Sequence, residues 1–346
     1  MTLIATTALR AAAAWWQGAQ LSTLGNGHIH DTFLVTVAGS TERFVLQALN
    51  HEVFVDPHQM TTQTQTLVHH LTADRGFADV YSIPQLVATL SGDLVYDCGD
   101  KTWRVWRYIE NSRVIEPFSN LQQVESAARA FGALQRSLAS FSPPSWTPSI
   151  ANFLRLRRYM REYREQLQAA PPGAVPEAMV TLIDSHQDLV DSLGEDRCFI
   201  HGDCKINNVL FHQRADTALA VIDLDTVGHG HWAWDFGDLV RSVAFSNGAV
   251  EIDQFVACVA GFAKGRVAFA QAAATTASQM SLAPGYMALT LAVRFVTDHL
   301  CGDRYFRVAA RGENLQRARA QLKLLEQFAD AQTILQKAAL EHLQEP

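Results

Sequence analysis

The chain has 346 residues, with 28 Lys+Arg against 35 Asp+Glu and a formal net charge of −7. That balance excludes a chain-wide basic footprint for nucleic acid, and 48% hydrophobic with 18% charged residues is a globular composition, unlike disordered, collagen-like or coiled-coil chains. At about 150 residues per domain the length predicts roughly two domains or lobes, long enough to bury a large core without staples. Five cysteines, at 98, 198, 204, 258 and 301, include no pair with a two-residue gap, which predicts reduced thiols in a cytoplasmic protein.

In chain order, the N-terminal MTLIATTALRAAAAWWQ lacks a basic start, and Arg10 interrupts its apolar stretch. It does not read as a signal peptide, and residues 4–21 read as an Ala-rich helix. Thr32–Val37 and Arg43–Ala48 read as strands around the Ala38-Gly39-Ser40-Thr41 connection, a hairpin signal. A helix is predicted near 58–72, then strands near 86–97 and at Trp103–Ile109. Leu121, Val124, Ala128, Phe131, Leu134, Leu138 and Phe141 recur at helical spacing, and Pro143-Pro144 and Pro148 end that helix.

A further helix over 152–168 carries Arg155, Arg157, Arg158, Arg161 and Arg164. With Glu162 and Glu165 as neighbours in an acidic chain, it reads as a solvated face rather than a phosphate or nucleic-acid site. Short strands follow at Cys198–His201, Val209–His212 and Ala218–Ile222. The uncharged run between Arg266 and Arg294 holds Gln271, Thr275, Thr276, Ser278, Gln279 and Pro284-Gly285. It predicts two buried helices joined by a turn, not a membrane span. A long amphipathic helix covers roughly 313–340. The layout is α+β, with a β-rich first lobe over 1–110 and a mostly helical second lobe over 111–346.

The chemistry concentrates in FIHGDCKINNVL (199–210) and AVIDLD (220–225). If the short strands pair as a hairpin, Asp203, Asn208 and Asp223 surround one pocket. Asn208 and Asp223 offer hard oxygens without thiolate or imidazole, a set suited to Mg²⁺ and not to zinc. Asp203 can accept a proton from, or orient, an attacking hydroxyl. Lys205 can neutralise a transferring phosphoryl group. This is the H-x-D-x-K-x-x-N spacing of a kinase catalytic loop followed by a metal-binding Asp. His201 reads as a support of that loop. His229 and His231 flank Gly230 without the helix spacing of a zinc hydrolase.

Gly25-Asn26-Gly27-His28-Ile29-His30 precedes the first hairpin strand. It suits either an ordinary turn or a loop whose backbone N–H groups cradle phosphates. No lysine occurs in residues 1–100, so the strand lysine of a kinase is missing; Gln47 stands in its place and Gln65 where its helix glutamate would be. Two neutral amides can replace an ion pair without stranding a buried charge. Phosphate charge then falls to Mg²⁺, loop amides and Arg43.

The HGDCKINN and VIDLD segments resemble the aminoglycoside phosphotransferase and choline kinase-like group of small-molecule kinases, closest to its N-acetylhexosamine 1-kinase branch, where the strand glutamine also occurs. GNGHIHDTFLV (25–35), RFVLQALN (43–50), WRVWRYIE (103–110), HGDCKINNVLF (201–211), AVIDLDT (220–226), WDFGDLVR (234–241) and RFVTDHLCGDRYF (294–306) carry the resemblance over about 25–325. It implies a bilobal protein-kinase-like fold, ATP and Mg²⁺ as cofactors, and a small sugar as partner. It also implies Asp203 as base, Lys205 beside it, Asn208 and Asp223 on Mg²⁺, and Asp225 assisting at metal or phosphate. Asp235 would brace the loop. Gly25, Gly27, Gln47 and the hinge Tyr108-Ile109-Glu110 would hold the nucleotide, and His28, Arg294 and Tyr305 would line the sugar site.

The expected reaction is phosphorylation of the anomeric hydroxyl of GlcNAc or GalNAc. Other acceptors are rivals: an aminoglycoside, choline, homoserine or another sugar. A cationic acceptor needs an aromatic or acidic pocket, against which Arg294 argues. A catalytically silent nucleotide-binding module is the rival from another class, opposed by the intact Asp203, Asn208 and Asp223.

Overall fold

The computed structural model describes residues 3–24, 30–194, 198–246, 249–267 and 272–344. Two compact units divide the chain, Met1–Ser112 with Ser142–Ile150, and Arg113–Phe141 with Ala151–Pro346.

The first unit begins with α1 (Leu3–Ala12), followed by β1 (Ala19–Thr23), β2 (Asp31–Val37) and β3 (Arg43–Ala48). After α2 (Pro57–Ala73) and the single turn α3 (Arg75–Ala78) come β4 (Val95–Cys98) and β5 (Lys101–Arg107). The five strands form one antiparallel sheet in the order β1-β2-β3-β5-β4. Apolar residues alternate along the strands, so one face is continuous. Phe33, Val35, Phe44, Leu46, Ala48, Trp103 and Val105 are buried there beneath Ala8, Ala11, Ala12 and Trp15. Asp56 caps α2 by accepting from the Gln59 N–H at 2.9 Å. Residues 142–150 return to this unit: Ile150 packs on the Leu49, Val53, Phe54 and Met60 cluster, and Gln59 Nε2 donates to Thr147 Oγ1 at 3.4 Å.

Two expectations fail here. The helix predicted over 4–21 stops at Ala12, and Ala19–Thr23 pair with β2 in the register Ala19↔Val37; strand pairing overrides alanine's helical propensity. The strand predicted near 86–97 is confined to Val95–Cys98, with Leu86 making one isolated bridge to Trp106. Between them the chain turns at Gly92, whose φ of 95° favours glycine.

The second unit takes up the chain within β6 (Ser112–Val114), followed by α4 (Leu121–Leu138), α5 (Leu156–Ala169) and α6 (Glu177–Ser185). The short strands β7 (Cys198–Ile200), β8 (Val209–His212), β9 (Ala218–Val221) and β10 (Gly228–Gly230) come next, then α7 (Trp232–Val243). The minimal hairpin of β11 (Phe245–Ser246) and β12 (Ala249–Val250) leads to α8 (Ile252–Arg266), α9 (Ala273–Leu300) and α10 (Glu313–Gln344). Strands pair as β6-β8-β9 and as β7-β10. The α5 arginines are a solvated face: Arg158 meets Glu162 at 2.6 Å, Arg161 meets Glu165 at 4.0 Å, and Arg157 pairs with Asp191.

The turn expected at Pro284-Gly285 does not form; both lie inside the continuous helix α9. Ala283, Pro284, Gly285, Tyr286 and Met287 are all buried, so packing offsets the hydrogen bond that proline removes. This helix is long and apolar enough to cross a membrane by length and composition, yet 72% of that stretch is buried inside the protein.

Helices α4 and α8 cross at contact distance because each supplies glycine: a Cβ on Gly132 would overlap the Phe262 carbonyl, and one on Gly261 the Glu125 carbonyl. We therefore expect Gly261→Ala to destabilise by about 1–3 kcal/mol, since a helix backbone cannot yield as a side chain does. Gly285→Ala, whose Cβ would sit 3.6 Å from Leu325 Cδ1, should be neutral or stabilising by up to about 1 kcal/mol. Thermal unfolding of the two variants checks the contrast.

Candidate active site

The strand β7 ends at Ile200, and the chain must turn sharply to reach β8. Gly202 makes the turn with φ of 85°, and a Cβ there would lie 2.8 Å from the Thr226 carbonyl oxygen. One buried carboxylate sets the loop: Asp235, 1% exposed on α7, accepts from the His201 N–H at 2.9 Å and the Gly202 N–H at 2.8 Å. Gln135 Nε2 donates to the same carboxylate at 2.7 Å. The His201 ring is fully buried. Its Nδ1 accepts from the Asp203 N–H at 3.1 Å and its Nε2 lies 3.0 Å from the Ile222 carbonyl. Because Nδ1 accepts a backbone N–H, Nε2 is placed to donate to the Ile222 carbonyl. Thr226 Oγ1 donates to the His201 carbonyl at 2.9 Å, tying the loop to the segment after β9.

Within this frame Asp203, Lys205 and Asn208 meet directly. Lys205 Nζ lies 2.8 Å from Asp203 Oδ2. Asn208 Nδ2 donates to the same oxygen at 3.0 Å and to the Asp203 backbone carbonyl at 2.8 Å. Neither contact uses Oδ1. Burial alone would push the Asp203 carboxyl up, but Lys205 and Asn208 hold it below the ordinary carboxylate range. For Lys205, burial opposes the charge, and Asp203 with Asp223 restores it and raises its pKa.

Asp223 follows β9 with φ of 64° and ψ of 53°, a left-handed conformation that aspartate tolerates better than most residues. The preceding Ile222 donates its N–H to the Asn208 carbonyl at 2.9 Å, which sets Asp223 beside the loop. Asp225, 1% exposed, lies in the following single turn. Among the described residues no group of three or more His, Cys, Asp or Glu side chains is placed to hold a metal. The donor set here is mixed instead. Two donations by Nδ2 turn Asn208 Oδ1 away from Asp203, and that amide oxygen with the Asp223 carboxylate fits Mg²⁺, which takes few protein ligands and keeps water and phosphate oxygens. His229 packs against Phe199 in a tilted arrangement, 4.2 Å between centroids, and His231 Nδ1 caps α7 by accepting from the Ala233 N–H at 3.1 Å.

In the first unit, the amide pair expected of Gln47 and Gln65 is not formed. Gln47 Oε1 accepts from Arg104 Nε at 3.1 Å, Arg104 Nη2 at 2.9 Å and Trp106 Nε1 at 2.8 Å. Gln65 turns along its own helix to His69, 2.6 Å away. Arg43, expected to help with phosphate charge, is engaged within its own unit: it pairs with Glu110 and lies over the Tyr108 ring at 4.1 Å. Ile109 offers its carbonyl to Ser112 Oγ at 2.6 Å. Gly25, Gly27 and His28 lie outside the described residues.

The two remaining predicted residues come together in the second unit. The Arg294 guanidinium lies over four rings, those of Phe153, Tyr159, Tyr305 and Phe306, at 5.2–5.3 Å from each centroid. Burial pushes the Tyr305 phenol up, against the opposing effect of Arg294. Its loop is held by Asp298, a residue that sequence reasoning missed. Asp298 Oδ1 accepts from the Arg304 and Tyr305 N–H groups at 2.9 and 2.8 Å, and Oδ2 from the Phe306 N–H at 3.0 Å and Asn314 Nδ2 at 2.9 Å. Asp238 was missed as well. It lies one helical turn after Asp235, is buried, and accepts from Arg241 Nε and Nη2 at 2.9 and 2.7 Å. Burial raises its carboxyl, with Asp203 adding to the effect. The i, i+3 spacing of two acids in an apolar helix was the available signal.

Asp298→Ala would remove the acceptor of three part-buried backbone N–H groups, each such hydrogen bond contributing about 0.5–1.5 kcal/mol. We expect a clear fall in melting temperature and faster amide exchange confined to residues 304–306. Asp298→Asn, which keeps one carbonyl acceptor, should lose less.

A model of the phosphotransferase enzyme family matches residues 20–269. Among solved structures, a microcompartment-associated aminopropanol kinase aligns over 96% of this chain and 98% of its own, with a TM-score of 0.69 and 16% identity. An amicoumacin kinase solved with AMP-PNP and Ca²⁺ aligns over 92% of both chains, with a TM-score of 0.63 and 13% identity. Choline kinase from Cryptosporidium parvum Iowa II aligns over 90% of both, with a TM-score of 0.60 and 11% identity. At these identities the likeness is one of fold: a protein-kinase-like fold with a β-sheet N-terminal region and a helical C-terminal part. With the family model spanning more than two thirds of its length, the chain belongs to the phosphotransferase enzyme family and is a small-molecule phosphotransferase acting on hydroxyl acceptors.

Proposed function

We propose that the protein transfers the γ-phosphoryl group of ATP to the anomeric hydroxyl of an N-acetylhexosamine such as GlcNAc or GalNAc, giving the sugar 1-phosphate. The observation that carries the reaction is the contact of Asp203 with Lys205 and Asn208 through a single carboxylate oxygen. This leaves Oδ1 to receive the acceptor hydroxyl. The new bond joins the acceptor oxygen to the γ-phosphorus, and the bond to the β,γ-bridging oxygen breaks. The hydroxyl proton passes to Asp203 Oδ1, and ADP leaves. Asp203 is a weak base, which suits a loose transition state in which the proton moves late and positioning dominates. Lys205, charged at neutral pH, stabilises the transferring group. Asn208 Oδ1 and Asp223 would hold Mg²⁺, with Asp225 in support; the ion supplies charge neutralisation on the phosphates when bound.

For the acceptor, the support comes from Arg294. An aromatic box of this kind suits a substrate ammonium group, but here the protein's own guanidinium fills it. That arrangement favours a neutral or anionic hydroxyl compound over choline, an aminoglycoside or another cationic acceptor, and it suits the hydroxyl-rich ring of a sugar. Homoserine and other sugars remain the rival acceptors.

Phosphorus NMR of the product formed from ATP, Mg²⁺ and GlcNAc or GalNAc tests the reading: a doublet coupled to the anomeric proton is expected. A 6-phosphate, or turnover only with a cationic acceptor, would refute it. Asp203→Asn should lower kcat by about 10²–10⁴-fold while keeping the thermal shift caused by Mg-ATP. Lys205→Met removes the cation that holds the Asp203 carboxyl down, so its pKa rises. The acid limb of the activity profile should therefore move to higher pH, and a limb that stays put would show that Asp203 is not the titrating group.

A further inference from the structure

The acid that follows Asp235 by one helical turn has no part in holding the loop. Asp238 shares with Asp235 the face of α7 turned to the loop, since residues three apart are neighbours on a helix. From that face Asp235 reaches the His201 and Gly202 amides. Three residues carry Asp238 about 5 Å further along the helix, and α7 also packs on the Ile206–Asn208 turn. Gly237, between the two acids, is turned instead to α9, where a Cβ would overlap the Ala283 carbonyl. Burial raises the Asp238 carboxyl, and beyond Arg241 the charges acting on it are those of Asp203 and Lys205. The Lys205 ammonium, opposed by burial, is in turn favoured by Asp203, Asp223 and Asp238. Three acids are thus grouped about one ammonium, and Asp238 is the one that neither the metal nor the transferred proton claims.

The two oxygens of Asp238 differ. Arg241 Nε and Nη2 both donate to Oδ1, at 2.9 and 2.7 Å. Among the described residues no hydrogen bond reaches Oδ2, and this oxygen is not one of the enclosed polar atoms left without a partner. The residue as a whole is only 4% exposed. A carboxylate so nearly buried, with one oxygen fixed and the other open, is an unmet demand for a hydrogen-bond donor. Two bonds from one guanidinium to Oδ1 also fix the direction of Oδ2. An anionic substituent is disfavoured here, because Asp203, Asp223 and Asp238 all lie about the same ammonium. A hydroxyl is an uncharged donor that meets the demand. A hexose carries hydroxyls on several sides of its ring, so one can meet Asp203 while another meets a carboxylate on the adjoining helix.

We propose that Asp238 is a specificity-determining residue whose Oδ2 accepts a hydrogen bond from a second hydroxyl of the acceptor, the first being the one that Asp203 receives, so that the substrate class is a neutral compound with several hydroxyls. This rests on the reading of Asp203 above. The test is steady-state kinetics of wild-type protein and Asp238→Asn with GlcNAc and its 3-, 4- and 6-deoxy analogues at saturating Mg-ATP, with unfolding temperature as the control for folding. In Asp238→Asn the arginine keeps the amide oxygen, so an N–H₂ replaces Oδ2 and the acceptor for the hydroxyl is lost. In wild-type protein one deoxy analogue should lose at least about tenfold in kcat/KM against GlcNAc. In Asp238→Asn, GlcNAc itself should fall by that factor and the same analogue should lose little more. The KM for Mg-ATP should not move. Unchanged kcat/KM for GlcNAc in a folded Asp238→Asn protein overturns the proposal, as do deoxy penalties that are the same in both proteins. Should Asp238→Asn fail to fold, Asp238→Glu, which keeps the charge but moves the oxygens by one methylene, takes its place in the same comparison. Should wild-type protein turn over only an acceptor with a single hydroxyl, the proposal is overturned as well. Full turnover by Asp203→Asn would instead overturn the reading on which this rests, so the two failures are distinct.

Discussion

The loop that carries Asp203, Lys205 and Asn208 has its shape because a buried carboxylate on α7 accepts two consecutive backbone N–H groups. Asp235 takes the His201 and Gly202 amides at 2.9 and 2.8 Å, and the chain can offer both only if residue 202 adopts a positive φ. Such amides would otherwise be unpaired in the interior, at a cost of about 1–3 kcal/mol each. Everything downstream inherits this constraint. The His201 ring is fixed between the Asp203 N–H and the Ile222 carbonyl, so the residues on both sides of the β8–β9 hairpin are held to one frame. Asp203, Lys205 and Asn208 then meet as a consequence of the turn.

The same device recurs at Asp298. There a carboxylate near the end of α9 accepts three successive backbone N–H groups of the 304–306 segment and the Asn314 amide. The segment carries Tyr305 and Phe306 to the Arg294 guanidinium. Two loops that carry chemistry-bearing side chains are therefore each organised by one buried acid on an adjoining helix. Both acids are buried, and each is satisfied by backbone N–H groups together with one side-chain amide. The glycines of α4 and α8 serve a related purpose, letting those two helices approach closely.

In the first unit the organising feature is the sheet's two-faced character. One face is sealed by α1. The other keeps Leu34, Val45, Gln47 and Trp106 half-buried, together with the gripped Arg104. The absence of a strand lysine is thus not a gap in an otherwise ordinary strand. The glutamine, the arginine and the tryptophan form one hydrogen-bonded group across two adjacent strands.

Much of this was legible in the order of residues. Short β-rich runs around a glycine-containing connection marked β2 and β3, helical periodicity marked α4, and amphipathic length marked α10. The HGDCKINN spacing located Asp203, Lys205 and Asn208 because a tight turn keeps residues two to five positions apart within reach of each other. Local sequence misjudged the segments where tertiary contacts outweigh local preference: the Ala19–Thr23 strand, claimed by pairing with β2, and Pro284, carried inside a helix by burial on all sides. Only the folded chain revealed Asp298 holding a loop six to eight residues away and Arg104 gripped by Gln47 across 57 positions. Spacing along a chain reports on groups joined by a few bonds. A cross-strand register or a buried acceptor depends on which distant segment packs alongside, and that is decided by the packing of the whole unit.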